Sequence, residues 1–265
     1  MFWEDINGDV FPEIVREVQG VCLVPTGCLE RHAHHLPLGT DMLVAREICQ
    51  RASKLEPAVI FKDFYFTQIL EARHYPGAFG LEPELILHLL ENTCREIARN
   101  GFTKIVLFNT HGGNTHFLHF FAQGQLASPR DYAVYVLGPE VLPEDTQTIN
   151  QQWETEVDGH AGENETSLIL AFRPELVDLD RLPIGDEGMP LGRNDDLKDK
   201  GIYTGIWWYA DQPTHYRGDG AYGTIEKGKR LLQANTLALA AAIRAIKKDL
   251  ITQFLQQEFW SGLNS

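Results

Sequence analysis

One Glu, three His and one Asp crowd a single span, Thr26-Gly27-Cys28-Leu29-Glu30-Arg31-His32-Ala33-His34-His35-Leu36-Pro37-Leu38-Gly39-Thr40-Asp41. Glu30 and His32 are two residues apart, so in an extended backbone their side chains lie on the same side. Asp41 returns after a Leu-Pro-Leu-Gly turn. Carboxylates and imidazoles together suit zinc, manganese or iron better than calcium or magnesium. The span reads as half of a two-metal site. The plainer alternative is a polar loop with surface histidines and a capping Asp, and spacing alone does not separate the two.

Two more polar loops carry related chemistry. Asn109-Thr110-His111-Gly112-Gly113-Asn114 sets a His before two glycines, where the main chain can turn sharply and come close to a ligand. His-Gly-Gly also occurs in esterase oxyanion loops, but the Gly-x-Ser-x-Gly nucleophile they require is missing here. No Gly-x-Gly-x-x-Gly follows a strand and no Walker loop is present, so a nucleotide cofactor has no support. The third loop, Asp158-Gly159-His160-Ala161-Gly162-Glu163-Asn164-Glu165-Thr166-Ser167, brings a His and two Glu. Those Glu fall where a helix should begin, and the helix dipole favours a carboxylate there without any metal.

The elements that must position these loops follow from the pattern between them. Val21-Cys22-Leu23-Val24 reads as a buried strand. A helix follows from Asp41, with Leu43, Ile48, Ala52 and Leu55 near one face and Thr40 or Asp41 as its cap. Val59-Ile60-Phe61 is a second strand, and residues 64–80 are irregular and aromatic, with His74 read as a loop histidine. Pro83 opens a helix with Ile86, Leu89, Leu90, Thr93 and Ile97 as its buried stripe, stopped by Asn100-Gly101. Lys104-Ile105-Val106-Leu107-Phe108 has the run expected of a central parallel strand and leads into the second loop. Asn114 is a candidate cap for the helix after it, and Tyr132 to Leu137 form the next strand. Residues 144–157 read as helical, residues 183–223 as a long functional surface region, and one helix as running from about Ile225 to about Phe254. Strands alternating with helices predict an α/β sheet with helices on both faces, in a single domain spanning residues 1–265. Ligands bind such sheets beyond the carboxyl ends of the strands, where all three polar loops fall.

Hydrophobic residues make up 43% and charged residues 23% of the chain, as in an ordinary globular protein. A net charge of −14 argues against binding to nucleic acid or an anionic membrane surface. No signal peptide and no apolar run of about 18 residues is visible. Cys22, Cys28, Cys49 and Cys94 make no Cys-x-x-Cys pair and read as reduced core thiols of a cytoplasmic protein.

The three loops together resemble the signature blocks of the creatininase (creatinine amidohydrolase) family. The matching residues are Glu30-Arg31-His32 with His35-Leu36-Pro37-Leu38-Gly39-Thr40-Asp41, then Asn109-Thr110-His111-Gly112-Gly113-Asn114, then His160-Ala161-Gly162-x-x-Glu165-Thr166-Ser167. The resemblance implies an α/β/α layered fold with a mostly parallel central sheet and two divalent metal ions per chain, zinc first, with manganese or iron as alternatives. It implies Glu30, His32, Asp41 and His111 as ligands, Asp41 as the bridge, His160 as the catalytic His, and Glu165 as a ligand of the second ion. It also implies a small-molecule amide substrate and a homo-oligomer, often a hexamer.

Three positions depart from the pattern. Creatininase has a ligating Glu where this chain has Gly113, so Glu165, ahead of Glu163, is expected to supply the second ion's carboxylate. Ala33 stands at a usual Gly and His34 at a usual Pro. These departures point away from creatinine and toward another cyclic or linear amide. Relatives cut formamides in cofactor biosynthesis or trim peptides in cofactor maturation. His160 is expected to protonate the leaving nitrogen with a near-neutral pKa. Arg31, His34 and His35 are candidate outer partners, with His35 structural. Trp153, Trp207, Trp208 and Tyr209 are candidates for a pocket wall or, ahead of that, for subunit packing. The competing readings are a phosphoester hydrolase, disfavoured by few Arg and Lys near the loops, and a non-enzymatic binding module.

Overall fold

Strands buried on both faces read as unbroken apolar runs, and β1 (Val21–Thr26) and β3 (Lys104–Asn109) are buried at every position in a computed structural model that describes residues 1–263. With β2 (Val59–Ile60) and β4 (Ala133–Leu137) they form a parallel sheet in the order β2-β1-β3-β4. Val21 pairs with Lys104 and Thr26 with Asn109, so β1 and β3 end side by side.

Alternation along the strands divides the interior in two. Val21, Leu23, Val106 and Phe108 face one side, where they meet α2 (Thr40–Leu55), α6 (Glu163–Phe172) and α9 (Ile225–Lys248). Cys22, Val24, Ile105 and Leu107 face the other, against α1 (Phe11–Glu17), α3 (Pro83–Arg99) and α4 (Thr115–Gly124). The expected α/β layering, with helices on both faces, is what the structure shows. The four cysteines are buried free thiols, and among the described residues no helix is long and apolar enough to cross a membrane.

Several boundaries differ from those read in the sequence. The seven-residue α1 has too few turns to show a periodic stripe. α5 (Pro143–Asn150) stops well short of residue 157. The C-terminal helix is two helices: α9 ends at Lys248 and α10 spans Ile251–Leu263. Asp249 leaves the helical region with ψ 113° and accepts from the amides of Ile251 at 2.9 Å and Thr252 at 3.1 Å, which starts α10. Asn114 does not cap α4 with its side chain; its amide donates to Asn109 Oδ1 at 3.0 Å. Residues 183–223 carry the short helices α7 (Asp195–Lys198) and α8 (Trp207–Asp211) among 3-10 turns and irregular chain.

α6 and α9 pack closely, and Gly228 is the reason they can. A Cβ at Gly228 would stand 1.8 Å from the Ser167 carbonyl oxygen. Main chain cannot move aside as a side chain would. Gly228→Ala is therefore expected to destabilise the protein by at least about 3 kcal/mol. For a chain of this size that lowers the thermal midpoint by about 6 °C or more. An unchanged midpoint would show that the helices are free to slide apart.

Candidate metal centre

The three loops meet at the carboxyl edge of the sheet, where ligand sites of parallel sheets lie. Glu30 and His32 come from the loop after β1, Asp41 from the first turn of α2, His111 from just beyond β3, and Glu165 from the first turn of α6. Starting α2 at Thr40 leaves Asp41 uncommitted to capping; Thr40 Oγ1 donates to the Pro37 carbonyl at 2.8 Å instead.

Asp41 stands between two groups of donors. Its Oδ2 lies 3.4 Å from His111 Nδ1, and Glu30 Oε1 lies 2.7 Å from that same nitrogen. Its Oδ1 lies 3.3 Å from His32 Nε2, and Glu165 Oε2 lies 3.6 Å from His32 Nε2. In the first group the donor atoms of Glu30, Asp41 and His111 fall within 4.8 Å of one another, with Cys28 Sγ behind them; His32, His160 and Glu165 form a second such group. His32 Nδ1 is 3.3 Å from the Glu30 carbonyl oxygen and donates to it, which turns Nε2 toward the carboxylates. All five residues expected to ligate are therefore brought together.

Burial sets the electrostatics. It pushes the Glu30 carboxyl upward, but His111 and His160 outweigh it and hold the group well below the usual range. Burial pulls His32 down, while Asp41 and Glu165 reverse this and raise its pKa to about 10. Burial raises Glu165 to about 7 against the pull of His32. For His160 burial wins: its pKa falls to about 3 despite Glu30 nearby. The near-neutral value expected for His160 is thus corrected; this imidazole is buried and neutral. Its Nε2 donates to the Arg31 carbonyl at 2.8 Å, which leaves Nδ1 as the free atom, 4.0 Å from Glu165 Oε2. The loop carrying it is pinned by two main-chain hydrogen bonds between His160 and Arg217.

Other candidates lie outside the cluster. Glu163 is committed elsewhere: it pairs with Lys227 at 2.5 Å and accepts from the amides of Glu154 and Thr155. His35 bonds Thr166 Oγ1 at 2.8 Å, a structural contact. The Arg31 guanidinium stacks on Tyr75 and contacts His34, so neither side chain supports an expected ligand; the Arg31 carbonyl instead accepts from His160, the expected catalytic imidazole. His74 contacts the Pro213 carbonyl, as a loop histidine. Trp207 and Trp208 wall a cavity of about 410 Å³ with Glu30, Asp41, His111 and His160. Trp153 lines a different cavity, on the other side of Asp41 and Glu165.

Three residues escaped the sequence reading. His215 is buried against Glu30 and His160. Cys28 Sγ lies 3.2 Å from Asp41 Oδ2, and burial with the adjoining carboxylates keeps it a thiol that donates. Glu71 occupies the room that Gly113 leaves open. A Cβ at Gly113 would stand 2.0 Å from Glu71 Oε1 and 2.5 Å from His111 Nε2. That His111 nitrogen is buried without a hydrogen-bond partner, 3.7 Å from Glu71 Oε1. Positive φ at Ala33 (51°) and Ala161 (56°) falls in the first and third loops, and at His215 (57°) in the later segment, but φ is not legible in a non-glycine sequence.

Comparison with known proteins places these residues in context. A family model described as creatinine amidohydrolase matches residues 6–243. A creatinine amidohydrolase of Pseudomonas putida is 30% identical over 179 residues, 61% of this chain and 68% of that protein. A mycofactocin precursor peptide peptidase of Mycobacterium ulcerans is 26% identical over 218 residues, 79% of this chain and 78% of that protein. Among solved structures, a manganese form of creatininase superposes with a TM-score of 0.75 at 24% identity, covering 94% of this chain and 99% of the other. A zinc–zinc form of a creatininase variant gives 0.75 at 24% identity, covering 94% and 98%. These likenesses establish the fold.

The space at Gly113 is testable. Glu71 and Gln68 can swing away from a new methyl group, but the buried His111 ring cannot. Gly113→Ala is expected to displace His111 and weaken zinc binding about tenfold or more, read by competition with a chelator. Unaltered affinity would mean that the ring has slack.

Proposed function

The chain belongs to the creatininase family, and we propose that it hydrolyses an amide C–N bond at two divalent cations held by Glu30, His32, Asp41, His111 and Glu165. The observation that carries this reading is the division of Asp41, whose two oxygens face separate sets of donors. The donor chemistry fits. Three buried or part-buried carboxylates converge, and among the described residues the basic side chains paired with them are all histidines. A buried excess of carboxylate is costly unless a cation offsets it. Carboxylate and imidazole donors suit zinc or manganese. Glu30, Asp41 and His111 would hold one ion, and His32, Asp41 and Glu165 the other; when bound, such ions polarise a carbonyl and bring the pKa of water toward neutral.

The chain's own groups handle the proton and the substrate. His160 is neutral, with Nε2–H spent on the Arg31 carbonyl. Nδ1 is thus the atom left to exchange a proton; a pKa of about 3 makes it a weak base toward water and, once protonated, a strong acid toward the departing nitrogen. Trp207, Trp208 and the Gly112–Gly113 turn line the same cavity, so an amide bound there would meet two indole rings and bare main chain.

The substrate extends beyond a small ring. A second cavity of about 860 Å³ shares Glu71, Gly112, Gly113 and Trp207 with the first and runs on to Phe117, Tyr203 and Tyr209. That extension favours a linear amide, in the direction of the relative named as a precursor-peptide peptidase. Amine release from a panel of cyclic amides, formamides and short peptides tests the choice. Turnover of lactams alone would overturn the linear reading.

Two variants separate the roles. Asp41→Ala should lose both ions and all turnover, read by elemental analysis; full occupancy would remove the bridge. His160→Gln should keep both ions while kcat falls by about 10²–10⁴. Loss of metal in that variant would make His160 a ligand instead.

A further inference from the structure

His215 has a backbone conformation that side chains other than Gly, Asn and Asp seldom adopt, with φ at 57°, and is buried to 1% exposure. A buried imidazole held in a costly conformation marks a place where the surroundings impose the geometry. Both of its ring nitrogens are used. Trp208 Nε1 lies 2.7 Å from His215 Nδ1. An indole nitrogen only donates, so His215 Nδ1 must accept, and the ring proton sits on Nε2. His215 Nε2 contacts Glu30 Oε2 and therefore donates to it. Glu30 Oε1 is left facing His111 and Asp41.

We propose that Trp208 and His215 form a positioning relay that fixes Glu30 with one oxygen bound and the other free for a cation. The relay rests on the reading of Glu30 as a metal ligand given above. Trp208 sets the tautomer, His215 supplies the N–H, and Glu30 is turned so that a single oxygen enters the first donor group. Hydrogen-bond partners of this kind orient ligands and raise affinity for the ion. The relay also joins the pocket wall to the metal centre, because Trp208 lines the cavity that the substrate would occupy. A substrate pressing on that indole acts, through two hydrogen bonds, on a ligand. His215 is a positioning residue in this scheme, since it acts through Glu30.

Zinc affinity of the full chain, measured by chelator competition, tests the relay without any substrate. Trp208→Phe keeps the ring and removes the donor. His215→Asn tolerates the left-handed backbone and is too short to reach Glu30. Each is expected to weaken zinc binding about tenfold or more. His215→Gln restores an N–H at nearly the same reach and should recover most of the affinity. Long-range proton–nitrogen NMR of the zinc-loaded wild type should show His215 protonated at Nε2. Wild-type affinity in both Trp208→Phe and His215→Asn, or a proton on Nδ1, overturns the relay. Should His215→Asn fail to fold, Trp208→Phe and the NMR spectrum decide. Wild-type protein that binds no zinc or manganese at all removes the metal reading, and the relay with it; wild-type binding with unaffected variants removes the relay alone.

Discussion

Two buried carboxylates, Glu30 and Asp41, and a part-buried third, Glu165, stand within reach of one another, and much of the chain is arranged around that cost. Like charges this close repel and each resists burial. The imbalance shows in the site itself: His32 and His111 are driven toward their charged forms, while Glu165 is pushed up to about 7. A parallel sheet suits the task, because β1 and β3 end level and deliver their loops to one place. The helix N-termini add to it, since Asp41 and Glu165 both sit in first turns where the dipole favours a negative group.

The support around the proposed ligands follows the same logic. Each histidine in the cluster has its remaining nitrogen in a definite setting. His32 gives Nδ1–H to the Glu30 carbonyl, and His160 gives Nε2–H to that of Arg31. His111 is different, with Nε2 buried and unpartnered beside Glu71. Backbone strain lies in the same shell. Ala33, Ala161 and His215 carry left-handed φ values, in three of the segments that enclose the cluster. At Ala33 this conformation also explains why a Gly is usual in the family pattern: it adopts positive φ freely.

Much of the centre was legible because its proposed ligands lie in short contiguous blocks. Glu30, His32 and Asp41 are close in sequence, and His111 follows an apolar strand run that needs no tertiary knowledge to recognise. The choice between Glu163 and Glu165 was not settled by sequence alone, because it depends on Lys227 from a distant helix claiming Glu163. Glu71 and His215 were hidden for a related reason. Both come from irregular segments without periodicity, and their approach depends on a missing side chain at Gly113 and a twisted backbone at residue 215. The break between α9 and α10 was missed because apolar residues continue across it, and the cap at Asp249 shows only in three dimensions.

The paired main-chain bonds between His160 and Arg217 have a mechanical consequence. The imidazole proposed to carry the proton and the segment that follows His215 form one stitched unit. His160 also stacks edge-on against His215, with ring centres 4.4 Å apart. Swinging this wall outward to admit a bulky guest would drag the proton carrier away from the centre, so an opened mouth and a competent catalyst are mutually exclusive states.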